Sequence, residues 1–355
     1  MKKNYISYQE VNILKGLALI FMYIHHLFTY PNWYVSGINY PNLEKIANIF
    51  RDPFNSVSIF CFITGYTYFF AKNKSYKYSI IKILKFLINF IIVLAIFVTI
   101  GILTKTYNFN LEKIILELFG IKREVMTFCW YIYFYIIVIL LLPIIDRMAS
   151  KLENNNLTKN IILFIIIPTT FLTALKGFFG NNLYTNDMLF NIIRFYPAVI
   201  IGYLCSKYEY FYKLDALFKR KNKIIKLLIC TGIFIISFML KYYIPLINIG
   251  TILSNDVYYE ININLDCFYT VFLIFSFLNI IRVIKKTFIL ENIGKLSLLM
   301  WFSHCIFFGC SKEIFMPILY YPKNAFLVLI WALLLNYIIA FILNKLINPI
   351  INKIK

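Results

Sequence analysis

The stretch that decides the fold is the first long apolar run of the chain, which reads Ile13-Leu14-Lys15-Gly16-Leu17-Ala18-Leu19-Ile20-Phe21-Met22-Tyr23-Ile24-His25-His26-Leu27-Phe28. A helix that crosses a bilayer rarely contains ionisable groups, yet this run contains three. Lys15 and His26 are separated by about three helical turns, so they project from nearly the same face, roughly 16 Å apart along the axis. His25 projects from a different side. This pattern predicts a polar path that enters from one membrane surface.

Two of these ionisable residues, Lys15 and His25, also have a purely structural interpretation. Lys15 lies near the helix start, where a lysine can serve as an anchor whose ammonium reaches the membrane interface. His25 can pack as a buried histidine whose hydrogen bonds are satisfied. For His26 we favour a functional role, because a histidine within a membrane span usually lines a substrate or proton pathway.

The composition places the chain among integral membrane proteins. Of its 355 residues 61% are hydrophobic and only 15% are charged, a balance that soluble globular proteins of this size do not have. Apolar runs of spanning length recur throughout and lack the period-two alternation of a membrane barrel. The sequence therefore predicts an all-α membrane protein with about ten transmembrane helices in a single domain, residues 1–355. The predicted spans are 12–30, 54–72, 80–103, 128–146, 160–176, 190–206, 224–243, 264–282, 293–311 and 325–347.

The net charge of +20 would suit a nucleic-acid-binding protein, but the basic residues fall in short segments between apolar runs. No nucleic-acid-binding motif accompanies them. With the N-terminus in the cytoplasm, 20 basic residues lie on the cytoplasmic side and eight on the other. The positive-inside rule then predicts that both termini are cytoplasmic. The richness in Lys, Ile and Asn fits a bacterial protein, so the predicted location is the bacterial cytoplasmic membrane.

Two further features complete the survey of the sequence. Residues 104–127 contain Glu112, Glu117 and Glu124 between basic residues and are predicted to form an interfacial amphipathic helix. The seven cysteines form no Cys-x-x-Cys pair and fall mostly within apolar runs. They are interpreted as buried thiols, and neither a metal site nor a disulfide framework is expected.

Several short motifs, in order along the chain, resemble those of the acyltransferase-3 family of bacterial membrane proteins. Lys15-x10-His26 is similar to the family's Arg-x10-His signature, with lysine in place of arginine. Lysine keeps the charge but loses the planar, two-pronged donor that suits a phosphate or carboxylate. The other similar stretches are Val57-Ser58-Ile59-Phe60-Cys61-Phe62-Ile63-Thr64-Gly65-Tyr66, Trp130-Tyr131, Arg194-Phe195-Tyr196-Pro197 with Gly202, and Gly294-Lys295-Leu296-Ser297 with Trp301 and His304.

The resemblance implies an activity. Members of the family O-acylate glycans and related acceptors, so the chain is expected to move an acyl group from cytoplasmic acyl-CoA to a hydroxyl. The group is most simply acetyl, and the acceptor a cell-surface glycan, a lipid-linked sugar or a similar molecule. Acyl-CoA, the acceptor and membrane lipids are the expected partners, with acetyl-CoA or another acyl-CoA as co-substrate and without a metal.

The residues suggest how such a transfer would proceed. His26 is the candidate base because the ordinary pKa of histidine lies near neutrality. His26 could instead be acylated and then pass the group on. Lys15 would attract the phosphates of coenzyme A, with help from Lys82 and Lys85, although these two can be ordinary positive-inside charges. His25, Trp130, Arg194 and His304 are candidates for acceptor contact or support, and His304 can equally be a polar contact between helices.

Two other classes of function compete with the acyltransferase. Ten spans and histidines within the membrane would also suit a proton-coupled transporter or flippase of glycan precursors. Broken helices in paired halves would favour a transporter, and the sequence contains no sign of them. A non-catalytic membrane scaffold is the third interpretation, and the shared face of Lys15 and His26 argues against it.

Overall fold

The fold was examined in a computed structural model of the protein, which describes residues 4–28, 56–151, 157–178, 183–219, 221–243 and 255–354. Residues 29–55, which include the end of the first predicted span and the start of the second, lie outside the described residues, as do residues 244–254. Within the described ranges the chain is helical and contains no strand. The prediction of an all-α protein is therefore confirmed.

Fourteen helices follow one another in the described residues. One of them contains a wider π-helical turn at Ile162–Ile166, and another continues into a 3-10 turn at Cys305–Phe307. The helices are α1 Tyr8–Phe28, α2 Ser56–Phe69, α3 Tyr76–Leu103, α4 Leu111–Leu118, α5 Tyr131–Lys151, α6 Leu157–Phe178, α7 Leu183–Lys207, α8 Tyr210–Ala216, α9 Lys223–Tyr243, α10 Asn255–Ile284, α11 Phe288–Lys295, α12 Ser297–His304, α13 Lys312–Leu319 and α14 Ala325–Ile351.

Eight helices of the described residues are long and apolar enough to cross a bilayer, namely α1, α3, α5, α6, α7, α9, α10 and α14. The two remaining predicted runs correspond to shorter apolar helices, Ser56–Phe69 and Ser297–Phe307. About ten apolar helices thus match the ten predicted runs, and the protein is a multi-pass membrane protein. The cytoplasmic location of both termini stays a prediction from the positive-inside rule.

The predicted ninth span, residues 293–311, is not one continuous helix. Leu296 takes a non-helical conformation with φ −100° and ψ 6°, which separates α11 from α12. At the other end of α12, the N–H of Cys305 turns to the carbonyl of Phe302 three residues back, and the chain tightens into the 3-10 turn. His304 is therefore the last residue of a short helix rather than part of a long one.

The described residues group into two compact units, and the single domain stays a prediction from the sequence. The first unit comprises the described residues of 1–18, 52–74 and 144–294, and the second comprises those of 19–51, 75–143 and 295–355. Helices α1 and α5 each contribute one end to each unit.

In the first unit, glycines allow helix backbones to come into direct contact. A Cβ on Gly65 would overlap the carbonyl oxygen of Val199, and a Cβ on Gly202 would overlap the carbonyl oxygen of Phe62. Helices α2 and α7 therefore pack with their backbones touching, as small residues permit in membrane helix pairs. The hydroxyl of Ser206 adds a hydrogen bond of 3.0 Å to the carbonyl of Tyr66.

The start of the chain is fixed within the same unit by Arg282 of α10. Its Nε donates to Oε1 of Glu10 at 2.6 Å, and its Nη2 donates to the backbone carbonyl of Tyr5 at 2.7 Å. The guanidinium also lies 4.2 Å from the centre of the Tyr5 ring. A half-buried arginine with these partners holds residues 5–10 in one position.

In the second unit, buried polar side chains connect neighbouring helices. The hydroxyl of Ser303 donates to Oδ1 of Asn336 at 3.0 Å and joins α12 to α14. The hydroxyl of Tyr23 donates to the carbonyl of Met300 at 3.2 Å, and the hydroxyl of Tyr320 donates to the carbonyl of Leu27 at 3.0 Å. These bonds attach the last two turns of α1 to α12 and to the end of α13, and so fix the part of α1 that contains the histidines.

The glycine contact between α2 and α7 predicts that Gly202→Ala destabilises the protein. The added methyl group would force the two backbones apart, at a cost of about 1–3 kcal/mol. Gly232→Ala in α9 is the matched control, since no described atom lies within 4 Å of its Cβ position. The control should be neutral or slightly stabilising, because alanine favours helix over glycine by roughly 1 kcal/mol. Apparent melting temperatures in one detergent measure both effects, and equal melting temperatures would contradict the close packing.

Candidate active site

The three histidines of the chain gather in the second unit. His25 and His26 lie in the last turn of α1, and His304 ends α12. The rings of His26 and His304 are nearly parallel, at 27°, with their centres 5.2 Å apart. The ring of His25 stands edge-on to His26 at 5.3 Å. The structure thus brings together three of the residues that the sequence singled out.

Phe128 completes the group and was not predicted as a site residue. Its ring stacks on His26 with 3.7 Å between ring centres, and it is almost parallel to His304, at 7° and 5.5 Å. Phe128 belongs to the irregular segment between α4 and α5. Nothing in the local sequence distinguishes it from the 35 other phenylalanines, because its role arises from contacts with α1 and α12.

The backbone of α12 orients the ring of His304. Its Nδ1 lies in hydrogen-bond contact with the carbonyl oxygen of Trp301, one turn back in the helix. A carbonyl oxygen can only accept, so Nδ1 must carry the proton, and in the neutral ring Nε2 keeps its lone pair. This carbonyl is available because the N–H of Cys305 turns to Phe302 instead. The same change in bonding at the Trp301 carbonyl therefore ends the helix after His304 and orients the His304 ring.

Two ring nitrogens in this group are buried without a hydrogen-bond partner among the described residues: Nδ1 of His26 and Nε2 of His304. The side chain of His304 is only 1% exposed, whereas that of His26 is half-buried. A buried polar atom without a partner costs roughly 1–3 kcal/mol, so such atoms call for an explanation. An unprotonated ring nitrogen accepts a hydrogen bond, so such nitrogens on neighbouring stacked rings can bind a hydroxyl group of a ligand and take up its proton.

Thiols and an aromatic residue surround the pair of histidines. The Sγ of Cys305 lies 3.9 Å from Nδ1 of His304 and 3.9 Å from the Sγ of Cys129. The ring of Tyr23 packs against His304 at 5.8 Å. Within the part of the chain that the structure describes, no three His, Cys, Asp or Glu side chains form a group that could hold a metal ion.

Three other predicted site residues lie in the second unit. Lys82 and Lys85 are half-buried near the start of α3, and the ammonium of Lys82 lies 4.9 Å from the centre of the Tyr78 ring. Trp130 is half-buried and packs edge-on against Tyr131 at 5.8 Å. Their roles in binding donor or acceptor stay predictions.

Lys15 and Arg194 belong to the first unit. Lys15 is half-buried on α1, which continues without a break to His26, as the sequence predicted. Arg194 is half-buried in α7, where its guanidinium lies 5.1 Å from the centre of the Phe195 ring. Its Nε is buried and has no hydrogen-bond partner in the described ranges. Acceptor contact by Arg194 stays a prediction. Asp266, also in this unit, accepts a hydrogen bond from the hydroxyl of Ser58.

Glu117 is a buried carboxylate that the sequence did not single out as functional. It lies on α4, the short helix predicted as amphipathic, and is 0% exposed. Burial raises the pKa of its carboxyl group to about 7, although hydrogen bonds from the N–H groups of Met126 and Val125 oppose the rise. Those two residues precede Phe128 in the irregular segment, so the carboxyl group touches the backbone that presents Phe128.

The raised pKa of Glu117 predicts a pH-dependent stability. The folded protein binds this proton more tightly than the unfolded chain, so the contribution is complete at low pH and is lost as the pH rises through about 7. Between about pH 5 and about pH 8, the apparent melting temperature of the wild type should fall more steeply than that of Glu117→Gln, which cannot ionise. Glu124→Gln, which keeps the Glu117 carboxyl group, should follow the wild type. Parallel curves for the wild type and Glu117→Gln would contradict the assignment.

One family of known proteins matches most of the chain. The sequence profile of the acyltransferase-3 family, described as an acyltransferase domain, matches residues 8–345. No curated protein and no solved structure is similar enough to match. The profile covers nearly the whole chain, including α1 with Lys15 and His26 and α12 with His304. The chain therefore belongs to the acyltransferase-3 family and is a membrane acyltransferase.

Proposed function

We propose that the protein moves an acyl group, most simply acetyl, from cytoplasmic acyl-CoA to a hydroxyl of a cell-surface glycan, lipid-linked sugar or similar acceptor. We place it in the cytoplasmic membrane of a bacterium. The observation that carries the proposal is the pair of buried ring nitrogens, Nδ1 of His26 and Nε2 of His304, which have no hydrogen-bond partner among the described residues. Acyl transfer requires a base and a positioned hydroxyl, and this pair supplies groups for both.

The transfer can run as a direct displacement. A histidine nitrogen takes the proton of the acceptor hydroxyl while the oxygen attacks the thioester carbonyl carbon. The tetrahedral intermediate collapses, the carbon–sulfur bond breaks, and the thiolate of coenzyme A receives the proton from the imidazolium. In this route His26 is the base. His304, with its proton held on Nδ1, can accept a hydrogen bond through Nε2 from a second hydroxyl of the acceptor and so position it.

The transfer can also run in two steps through His26. A ring nitrogen of His26 attacks the thioester carbon, coenzyme A leaves as the thiol, and the acyl group is bound to the imidazole. The acceptor hydroxyl then attacks this acyl-imidazole and gives up its proton to His304 Nε2. The bond between the acyl carbon and the His26 nitrogen breaks, and His304 passes the proton to the released imidazole, which replaces the one that left with coenzyme A. Both routes use the same two nitrogens and lead to an ester and free coenzyme A.

The basic residues predicted on the cytoplasmic side suit the anionic donor. Coenzyme A carries several phosphate charges, and a lysine attracts them as a point charge. Lys15 shares helix α1 with His26, about three turns closer to the predicted cytoplasmic surface. Lys82 and Lys85 lie near the start of α3 on the same predicted side. We assign these three lysines to donor binding, and His25 and Trp130 to acceptor contact or support.

His26→Ala should abolish transfer, because it removes the group that acts as base or acyl carrier. Loss of one general base typically costs a factor of about 10²–10⁴ in rate. The measurement is transfer of label from [¹⁴C]acetyl-CoA to membrane glycolipid by membranes that contain equal amounts of wild type or variant. His304→Gln should also lose most of the activity. Full activity in His26→Ala, with normal insertion and folding, would rule out the mechanism.

The same assay separates the acyltransferase from a transporter. A transporter of glycan precursors would release no free coenzyme A from acetyl-CoA, with or without acceptor present. The acyltransferase should release it in proportion to the label transferred.

Lys15→Ala should raise the KM for acetyl-CoA by about tenfold, the effect of losing one charged contact to phosphate. Lys15→Arg should restore or improve donor binding, because arginine binds a phosphate with two parallel hydrogen bonds. Lys77→Ala is the matched control, since Lys77 is an exposed basic residue at the start of α3. Initial rates against acetyl-CoA concentration provide the test. An unchanged KM in Lys15→Ala would reduce Lys15 to an interfacial anchor.

A further inference from the structure

Phe128 is held against the two histidines by a segment without regular secondary structure, residues 125–129. The hydroxyl of Thr127 donates to the carbonyl of Phe308 at 2.8 Å. A Cβ on Gly309 would overlap the carbonyl oxygen of Val125, so the segment also lies directly against the chain that follows α12. The position of the Phe128 ring therefore depends on how this segment is fixed.

Glu117 also fixes this segment, through hydrogen bonds to its backbone. Its Oε1 accepts hydrogen bonds from the N–H of Val125 at 3.0 Å and of Met126 at 2.5 Å, and its Oε2 lies 3.2 Å from the Val125 nitrogen. Because the segment has no helical or sheet partners, these two N–H groups depend on the carboxyl group. Hydrogen bonds to a charged acceptor are about twice as strong as neutral ones.

Glu117 differs from the nearby Glu124 in being buried. Glu124, in the same connection between α4 and α5, is 43% exposed at its side chain and forms an ion pair of 2.9 Å with Lys113. Glu117 instead faces the protein interior, where the titratable groups that interact with it are Tyr107, Glu124, Cys129, Cys305 and Cys310. Burying a carboxylate is costly unless it is hydrogen-bonded, and here its partners are the backbone that presents Phe128.

We propose that Glu117 is a positioning residue for acyl transfer: by binding the N–H groups of Val125 and Met126 it holds Phe128 against His26 and so fixes the orientation of the imidazole. This inference rests on the proposed function, since it concerns the ring that would carry out the transfer. If the imidazole rotated away from the reacting group, acyl-CoA could still bind, but the chemical step would be slower. Loss of Glu117 should therefore lower kcat and leave the KM for acyl-CoA unchanged.

The test compares Glu117→Ala and Glu117→Gln with Glu124→Ala and Glu124→Gln in the full-length protein, purified in detergent. One readout is independent of activity: the rate at which N-ethylmaleimide labels Cys129, mapped by mass spectrometry. Cys129 is 0% exposed and lies next to Phe128 in the chain, so it becomes accessible when the segment loosens. The second readout is kcat and KM for acetyl-CoA.

Cys129 should be labelled about tenfold faster in Glu117→Ala, and kcat should be about tenfold lower, because two buried N–H groups then lack an acceptor. The KM for acetyl-CoA should stay unchanged. Glu117→Gln keeps one carbonyl oxygen to accept both N–H groups, so it should fall between alanine and the wild type. The Glu124 variants should match the wild type in both readouts. If neither Glu117 variant folds, Thr127→Val, which removes the bond to Phe308, should produce the same two changes.

Three results separate failure of this inference from failure of the proposed function. Labelling and kcat of the Glu117 variants that match the Glu124 variants would overturn the inference, even when His26→Ala is inactive. A fall in kcat with an equal rise in KM would also overturn it. A wild type whose turnover of acetyl-CoA equals that of His26→Ala would overturn the proposed function, whatever the labelling of Cys129.

Discussion

Stacking of His26 and His304 on the ring of Phe128 is the interaction on which the functional account depends. It places two imidazoles side by side in the interior, and each presents a nitrogen that no described residue satisfies. Such atoms cost free energy in a fold that satisfies most of its other buried polar groups. Their retention is expected where a substrate supplies the missing partner, because the interaction is then formed during function rather than during folding.

Most of the second unit can be understood as support for this stack. Tyr23 and Tyr320 attach α1 through backbone carbonyls, and Ser303 bonds to Asn336 on α14 next to His304. Side-chain hydrogen bonds between apolar helices are worth less than about 2 kcal/mol each, but they fix rotation and register where apolar packing alone does not. The imidazole of His304 is in turn oriented by its own helix. Catalytic groups require such rigid support, since small misplacements reduce rates strongly.

The sequence predicted the helices well and the site in part. Runs of about twenty apolar residues have few alternatives to a spanning helix, so the all-α fold and the continuity of α1 followed from composition and spacing. Local sequence patterns could not reveal the end of α12 after His304, because it depends on which donor reaches the carbonyl of Trp301. Phe128 and Glu117 were missed for the same reason: one phenylalanine among 36 and one glutamate of a charged amphipathic helix acquire their roles only through tertiary contacts.

The most direct test of the central claim is an experimental structure of the protein with a non-hydrolysable acyl-CoA analogue. The carbonyl carbon of the bound analogue should lie within about 3.5 Å of a ring nitrogen of His26, close enough for attack, and Nε2 of His304 should face the same group. A donor bound with its acyl group beyond the reach of both rings, or a His26 ring that faces lipid with no cavity beside it, would contradict the account.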